Sequence, residues 1–203
     1  MITVIDYGMG NLRSVVKAVE KYSDSVRISN DPGSIETSDA LIMPGDGAFG
    51  MAMNHLAEMK WIDPLKEFIK SGKFFLGICL GYQLLFSSSD EFGYSDGLDV
   101  IPGHVTKFKF DDLKIPHMGW NEVELKGNSK FLDGIDSFSY FYFIHSFYPE
   151  IKDSSWILGK TNYGITFPCI VGKGNIIATQ FHPEKSHKLG LKIIENFVRY
   201  SCS

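Results

Sequence analysis

The chain has 203 residues, of which 44% are hydrophobic and 22% are charged, and this composition is typical of a globular protein with a sizeable core. Its net charge of −4 at pH 7 argues against a general nucleic-acid-binding protein, which normally carries an excess of basic residues. No apolar stretch reaches the roughly 18 residues of a membrane span, and the N-terminus MITVID lacks the basic region of a secretory signal. The three cysteines, Cys79, Cys169 and Cys202, lack the spacing of a disulfide framework, so we expect a soluble protein of the reducing cytoplasm.

Apolar strands alternate with amphipathic helices in the first half of the chain. We predict strands over 2–6, 26–29, 39–45 and 73–79, and helices over 11–22, 47–59, 61–72 and 80–89. Such alternation is typical of right-handed crossovers and of a mostly parallel sheet that helices cover on both faces. The first half therefore predicts an α/β fold with a mostly parallel central sheet.

Strand-like segments follow one another directly in the second half. We predict strands over 103–110, 117–125, 140–148, 155–162, 165–174 and 175–182, and a final helix over 188–200. This run indicates an added antiparallel or mixed sheet. Because the chain has no repeat, linker or low-complexity segment, we expect residues 1–203 to form a single domain.

The segment FFLGICLGYQLLF, residues 74–86, places Cys79 within an apolar run. Free cysteine is among the most buried residue types, so a packed core residue is the first interpretation. However, Gly77 and Gly81 suit a sharp strand-to-helix turn, because they remove the side chains that would clash there. Such a turn would present the sulfur at the edge of the sheet, direct the Leu80 amide toward its target and let the helix dipole favour the thiolate. We therefore interpret Cys79 as a nucleophile.

A nucleophilic cysteine needs a base, and His182 is the best placed of the six histidines. The segment NIIATQFHPE, residues 175–184, delivers His182 at the C-terminal end of a predicted buried strand, the same edge that should carry Cys79. Glu184 follows two residues later and can hold the other ring nitrogen. The pattern predicts a Cys–His–carboxylate triad. On spacing alone, a surface turn without a catalytic role remains the alternative.

Five segments occur in the order found in class I glutamine amidotransferases, which the chain resembles from residue 4 to about residue 199. They are PGDGAF (44–49), GICLGYQLLF (77–86), GLDVIPG (97–103), PHMGWN (116–121) and QFHPEKS (180–186). The DYGMGNLRS start and PHMGWN resemble in particular the branch of glutaminase subunits of imidazole glycerol phosphate synthase. The resemblance implies the fold of that family and hydrolysis of L-glutamine through a cysteine thioester. It also implies delivery of ammonia to a synthase or cyclase subunit, a (β/α)₈ barrel, for histidine biosynthesis.

The resemblance further implies a role for individual residues. Cys79 would attack the glutamine amide, His182 would transfer protons and Glu184 would orient His182. The oxyanion hole would combine the Leu80 amide with a backbone amide at Asp46 or Gly47. Substrate would be bound by Gln83, Glu91, His145, Ser146 and Phe147, and the partner subunit by Asn11, Trp120, Tyr142 and Lys185.

Asp46 departs from the pattern of the family, which usually has an apolar residue at this position, commonly valine. A carboxylate that pointed into the site would oppose a developing oxyanion. A carboxylate that pointed outward could instead accept hydrogen bonds from neighbouring amides and fix the loop. The sequence leaves both orientations open.

Other functions are open to a chain of this kind. One alternative is a paralogous amidotransferase subunit for sugar amidation in surface-polysaccharide synthesis, and another is a cysteine peptidase or chaperone-like protein with the same strand-to-helix turn. We expect no cofactor, because GMGN (8–11) lacks the third glycine of a dinucleotide loop. We expect no metal, because HPEKSH (182–187) has neither the HExxH spacing nor a paired cysteine.

Overall fold

Two β-sheets organise the chain in the computed structural model, which describes residues 1–201. The strands are β1 (Ile2–Ile5), β2 (Val26–Ser29), β3 (Ala40–Met43), β4 (Phe74–Ile78), β5 (Phe86–Ser89), β6 (Ser95–Asp96), β7 (Ile101–Lys107), β8 (His117–Leu125), β9 (Ser139–His145), β10 (Phe147–Ile151), β11 (Ile157–Tyr163), β12 (Ile165–Lys173) and β13 (Ile176–Thr179). The α-helices are α1 (Leu12–Val19), α2 (Phe49–Glu58), α3 (Ile62–Lys70), α4 (Leu80–Gln83) and α5 (His187–Ser201). Short 3-10 helices occur at Pro32–Thr37, Lys130–Leu132, Ser154–Trp156 and Pro183–Lys185.

The larger sheet has nine strands in the order β2-β1-β3-β4-β13-β12-β11-β8-β9. Strands β2, β1, β3, β4 and β13 are parallel to one another, and the other four continue the sheet in antiparallel pairs beyond β13. The smaller sheet has the order β10-β7-β5-β6 and is mixed. The predicted α/β fold is confirmed, with most of the added antiparallel strands joined to the parallel sheet itself.

Helices cover both faces of the larger sheet. Helices α1 and α5 bury Val15 and Ile193 in one core cluster, together with Ile2 and Val4 of β1. Helices α2 and α3 bury their apolar faces in a second cluster, which contains Ile5 of β1. Because successive strand residues point to opposite faces, β1 serves both clusters and is buried throughout. In the described part of the chain, no helix is long and apolar enough to cross a membrane.

The helix predicted over 80–89 is wrong beyond its first turn. Helix α4 ends at Gln83, and residues 86–89 form β5, which pairs in parallel with β7 in the smaller sheet. Three of the four β5 residues are serine, a residue with a low helix preference because its hydroxyl competes for backbone groups. Pairing with β7 therefore determines the structure of this segment.

The strand predicted over 140–148 is divided at Ser146. Strand β9 ends at His145 in the larger sheet, and β10 begins at Phe147 in the smaller sheet. The chain passes from one sheet to the other at this point. The division brings residues 145–147 to the junction of the two sheets.

Gly81→Ala tests how closely the turn after β4 packs on β3. A Cβ at Gly81 would overlap the Met43 carbonyl oxygen, a backbone atom that cannot rotate away. Overpacking of this kind costs about 1–3 kcal/mol, and we expect a loss of at least that size in the free energy of unfolding by urea. Gly33→Ala is the matched control, because a Cβ there meets only the Asp31 carboxylate, at 3.3 Å. Equal losses in the two variants would contradict the packing argument.

Candidate active site

Cys79 occupies a sharp turn between β4 and α4, with a φ of 55° and a ψ of −105°. A non-glycine residue in such a sparsely populated conformation costs on the order of 1–3 kcal/mol. Gly77 and Gly81 permit the turn, because a Cβ on Gly77 would lie 2.8 Å from the Gly81 carbonyl oxygen. The residue is 8% exposed, and it lines the cavity described below. Helix α4 is a single turn, and its dipole is therefore a smaller contribution than the sequence suggested.

His182 and Glu184 lie beside Cys79 at the same edge of the larger sheet. Strand β13, which precedes His182, pairs in parallel with β4, which precedes Cys79. The His182 Nδ1–H donates to Glu184 Oε1 at 2.8 Å, and both side chains are almost completely buried. The second oxygen of Glu184 is buried without a hydrogen-bond partner, so the imidazole is the group that its carboxylate holds. The structure thus brings the three predicted triad residues together.

The electrostatic surroundings of His182 favour its charged form. Burial alone would lower its pKa, but hydrogen bonds and charge interactions with Cys79 and Glu184 raise the pKa to about 10. The imidazolium therefore persists at neutral pH next to the cysteine sulfur. This is the arrangement that activates a cysteine as a thiolate.

A cavity of about 300 Å³ opens in front of Cys79, which suits a small ligand. Its wall contains Cys79, His182 and every residue predicted for the oxyanion hole and the substrate, namely Asp46, Gly47, Leu80, Gln83, Glu91, His145, Ser146 and Phe147. Pro116 and Ile144 complete the lining. Glu184 lies behind His182 and does not line the cavity.

The loop at 44–47, which was predicted to complete the oxyanion hole, is held in an arrangement that does not form the hole. The Leu80 N–H, expected as the first donor, donates to the Gly45 carbonyl oxygen at 3.4 Å. The Asp46 Oδ1 accepts from the Gly10 N–H at 2.9 Å, so the carboxylate ties this loop to the N-terminal loop. Of the two orientations open to Asp46, the structure has the one that braces the loop. Gly47 has a φ of 95°, a conformation that glycine adopts without strain.

Gln83 and Glu91 present polar groups to the cavity. Gln83 Nε2 donates to the Phe147 carbonyl at 3.1 Å and to Gln180 Oε1 at 2.9 Å, so its own carbonyl oxygen is the group that it can offer to a ligand. Glu91 Oε2 accepts from the Phe49 N–H at 2.7 Å. Burial raises the pKa of Glu91, which means that a cationic group next to it would be favourable.

His145 contributes a neutral ring rather than a charge. Its Nδ1–H donates to the Phe147 carbonyl at 2.8 Å, and its Nε2 accepts from His117 Nδ1 at 2.9 Å. Burial lowers the pKa of His145 to about 3 and that of His117 to about 4. Asn121 Nδ2 lies 3.2 Å from the remaining nitrogen of His117 and completes the chain of hydrogen bonds.

Three of the predicted partner residues lie together near the triad. Trp120 is 45% exposed, stacks on His187 with ring centroids 4.9 Å apart, and meets the Tyr142 ring edge-on at 6.0 Å. Lys185 is exposed and follows Glu184 directly. Asn11 lies at the start of α1, where its side chain accepts from the Ser14 N–H.

Sequence reasoning missed three buried polar residues near the site, namely Tyr7, His117 and Gln180. The Tyr7 hydroxyl donates to the Pro44 carbonyl at 2.8 Å and supports the loop at 44–47 from beneath. Gln180 lies between Gln83 and Cys79. Tyr7 and Gln180 each follow an apolar strand closely, and this was an available signal. His117 is the first residue of β8, which is not apolar, so the sequence carried no such signal for it.

The remaining cysteines have no such surroundings. Cys169 is completely buried in β12, and burial raises its pKa. Cys202 lies outside the described residues. Within residues 1–201, no group of three or more histidine, cysteine, aspartate or glutamate side chains is arranged to hold a metal ion.

Comparisons with known proteins show the family of this chain. The family model described as glutamine amidotransferase class-I matches residues 3–200. The chain is 46% identical to the imidazole glycerol phosphate synthase subunit HisH of Syntrophotalea carbinolica, over 97% of this chain and 98% of that protein. It is 50% identical to the protein of the same name from Methanocaldococcus jannaschii, over 98% of each chain.

Solved structures agree in fold. PurLQS from Thermotoga maritima matches with a TM-score of 0.78 and 16% identity, over 98% of this chain and 97% of that one. The glutaminase domain of Trypanosoma brucei CTPS matches with a TM-score of 0.69 and 14% identity, over 99% of this chain and 93% of that one.

His182→Asn tests whether His182 activates Cys79. The raised pKa of His182 keeps the ring charged below about pH 10, and losing a charged hydrogen-bond partner worth about 1.5–3 kcal/mol should slow alkylation of Cys79 by iodoacetamide at pH 7 at least tenfold. Glu184→Gln should slow it less, because Glu184 acts through His182. Peptide mapping assigns the label. Equal labelling of Cys79 and Cys169 in the unmodified chain would contradict the activated-cysteine interpretation.

Proposed function

The chain belongs to the class I glutamine amidotransferase family, and from this premise we propose that the cavity beside Cys79 is its glutaminase site. Like the imidazole glycerol phosphate synthase subunits to which it is related, it hydrolyses L-glutamine and delivers ammonia to a synthase subunit in histidine biosynthesis. These relatives favour this function over sugar amidation. Membership of the family disfavours a peptidase or chaperone.

The observation that carries the assignment of the site is the geometry of the triad. His182 is bonded to Glu184 at 2.8 Å and interacts with Cys79, which projects from a strained turn into a cavity of small-ligand size. A thiolate next to an imidazolium is the starting state of cysteine amide hydrolysis.

The reaction proceeds in two steps, formation of a thioester and its hydrolysis. In the first, the Cys79 thiolate attacks the side-chain amide carbon of glutamine, His182 donates its proton to the leaving nitrogen, and ammonia and a thioester form. In the second, neutral His182 takes a proton from water, the hydroxyl adds to the thioester, and the carbon–sulfur bond breaks. Glutamate leaves, and the thiolate and imidazolium are restored. Glu184 keeps the His182 ring oriented in both steps.

The polar groups of the cavity suit the amino-acid end of glutamine. Glu91 and the carbonyl oxygen of Gln83 would receive the ammonium group, since burial of the Glu91 carboxylate makes a positive partner favourable. The backbone at 145–147, where β9 passes into β10, would receive the carboxylate. His145 holds this segment through the Phe147 carbonyl.

The loop at 44–47 slows the reaction because its Gly45 carbonyl accepts the hydrogen bond of the Leu80 amide. Leu80 cannot serve an oxyanion while its N–H donates to the Gly45 carbonyl. Loss of one oxyanion donor lowers turnover by about 10²–10³. Asp46 connects this loop to Gly10, so a partner that contacts residues 8–11 is able to release the Leu80 amide.

The partner is a cyclase subunit with a (β/α)₈ barrel, and the surface that we propose for it contains Asn11, Trp120, Tyr142 and Lys185. We propose that residues 1–203 act as one domain, since both sheets contribute to the site, and that the protein works in the cytoplasm. The free thiols of Cys79 and Cys169 fit a reducing compartment.

Ammonia release from glutamine tests the function. The purified chain alone should release ammonia at a rate about 10²–10³ lower than in the presence of the cyclase subunit and its ligand, because one oxyanion donor is engaged. Cys79→Ser is the control for contaminating activity. No ammonia in either condition would contradict a glutaminase, and full activity of the isolated chain would contradict the coupling to a partner.

Asp46→Val and Asp46→Asn separate the two effects of Asp46. Valine removes the bond to Gly10, loosens the loop and should raise ammonia release by the isolated chain about tenfold, the worth of one such hydrogen bond. Asparagine keeps an acceptor oxygen and should leave the rate low. A rise in both variants would show that the negative charge opposes the oxyanion, and a fall with valine would show that the braced loop is the active one.

A further inference from the structure

Gln180 is a buried polar residue with no role in the mechanism above. It follows β13 directly, is completely shielded from solvent, and donates its backbone N–H to the Cys169 carbonyl at 2.8 Å. Its side chain fills the space between Gln83 and Cys79. Burying an amide is costly unless its polar atoms are bonded, so the partners of this group need an explanation.

The orientation of the Gln180 amide is determined by a backbone carbonyl. The Phe147 oxygen can only accept, so the end of the Gln83 side chain that faces it, at 3.1 Å, is the NH₂ group. The same NH₂ group lies 2.9 Å from the Gln180 side chain, which must therefore present its oxygen to Gln83. Consequently the NH₂ group of Gln180 faces Cys79, with Nε2 3.9 Å from the sulfur.

The sulfur also contacts a backbone carbonyl, and this contact is favourable for the thiol but not for the thiolate. The Cys79 thiol donates to the Ile144 carbonyl at 3.9 Å. A thiolate has no proton to donate, and that carbonyl then opposes its charge. The Gln180 N–H favours the thiolate over the thiol, because hydrogen bonds to a charged acceptor are stronger than those to a neutral one.

We propose that Gln180 stabilises the Cys79 thiolate by donating an N–H to the sulfur, in addition to the His182 imidazolium. This inference deepens the proposed function and rests on it. Gln180 acts twice in the cycle. It favours the thiolate before the attack on glutamine, and it favours the thiolate again as the leaving group when the carbon–sulfur bond of the thioester breaks. Through Gln83, the donor is linked to the Phe147 carbonyl of the substrate cavity.

Gln180→Met tests the donor, because methionine has a similar length and no N–H. We expect alkylation of Cys79 by iodoacetamide at pH 7 to slow about tenfold. We expect the difference to shrink as the pH is raised, because the thiolate then forms without help. A rate equal to that of the unmodified chain at every pH would overturn the proposal. A loss of the same factor at every pH would also overturn it, since that would be an effect of position alone.

Gln180→Glu is the second variant, and it keeps the acceptor for Gln83. It places a carboxyl oxygen where the N–H stood, and once ionised this group repels the thiolate, so at alkaline pH alkylation should remain slower than in Gln180→Met. At alkaline pH, a rate at or above that of Gln180→Met would contradict the placement of this position against the sulfur. This variant preserves size and one hydrogen bond, so it remains informative if the methionine variant does not fold.

Asn196→Leu is the matched control for loss of a buried amide. Asn196 is equally shielded, and its NH₂ group donates to the Phe131 and Asp133 carbonyls, away from the cavity. Its alkylation profile should match that of the unmodified chain, and protection of Cys169 reports that each variant is folded. A change in this control like that in Gln180→Met would overturn the proposal. Failure of the proposed function looks different, because the unmodified chain would then release no ammonia from glutamine, with or without the cyclase subunit.

Discussion

Parallel pairing of β4 with β13 is the constraint on which the site depends. Thr179 lies opposite Ile78, and the Cys79 N–H donates to the Thr179 carbonyl at 2.8 Å. Parallel strands end at the same edge of a sheet, so a turn after β4 and a turn after β13 bring distant parts of the chain together. Cys79 and His182, the proposed nucleophile and base, therefore need no long loop to meet. Gln180 is positioned by the same pairing, as the first residue after β13.

The Phe147 carbonyl sets the direction of the polar groups around the cavity. It accepts from His145 on one side and from Gln83 on the other. Since a carbonyl has no proton, both neighbours must be donors. The orientation of the next residue in each chain of hydrogen bonds, His117 on one side and Gln180 on the other, is then determined in turn. A buried network of this kind is stable only when its members are satisfied, because the low dielectric makes an unpaired group costly. The low pKa values of His117 and His145 keep the network neutral and its direction constant.

The sequence carried enough information to predict the fold class and the residues that meet at the site. The GICLG turn could be predicted because glycines are needed where one backbone segment approaches another closely. The HPE segment could be placed at the site because it follows a buried strand. Residues 86–89 were assigned wrongly, because the pairing with β7 outweighs the local pattern. The hydrogen bond of the Leu80 amide to Gly45 could not be predicted. Every residue other than proline has a backbone N–H, and the partner of this one depends on the conformation of the loop at 44–47. Gln180 was visible in QFHPE, but its direction depends on Phe147, a residue distant in the chain.

The hydrogen bonds of Tyr142 connect the proposed partner surface to His182, the proposed base. The Tyr142 carbonyl accepts from the His182 N–H at 3.0 Å, and its own N–H donates to Ser186 Oγ at 2.9 Å. Ser186 in turn donates to the His182 carbonyl at 2.6 Å, which closes a ring around the backbone of the base. The Tyr142 side chain contacts Trp120, whose ring is half exposed. On the surface that we propose for the partner, Trp120 therefore contacts the strand that holds His182, and Asn11 lies next to Gly10, which is bonded to the loop that holds Leu80. The proposed base is one hydrogen bond from Tyr142, and the proposed oxyanion donor, the Leu80 amide, is two hydrogen bonds from Gly10, through Asp46 and the Gly45 carbonyl.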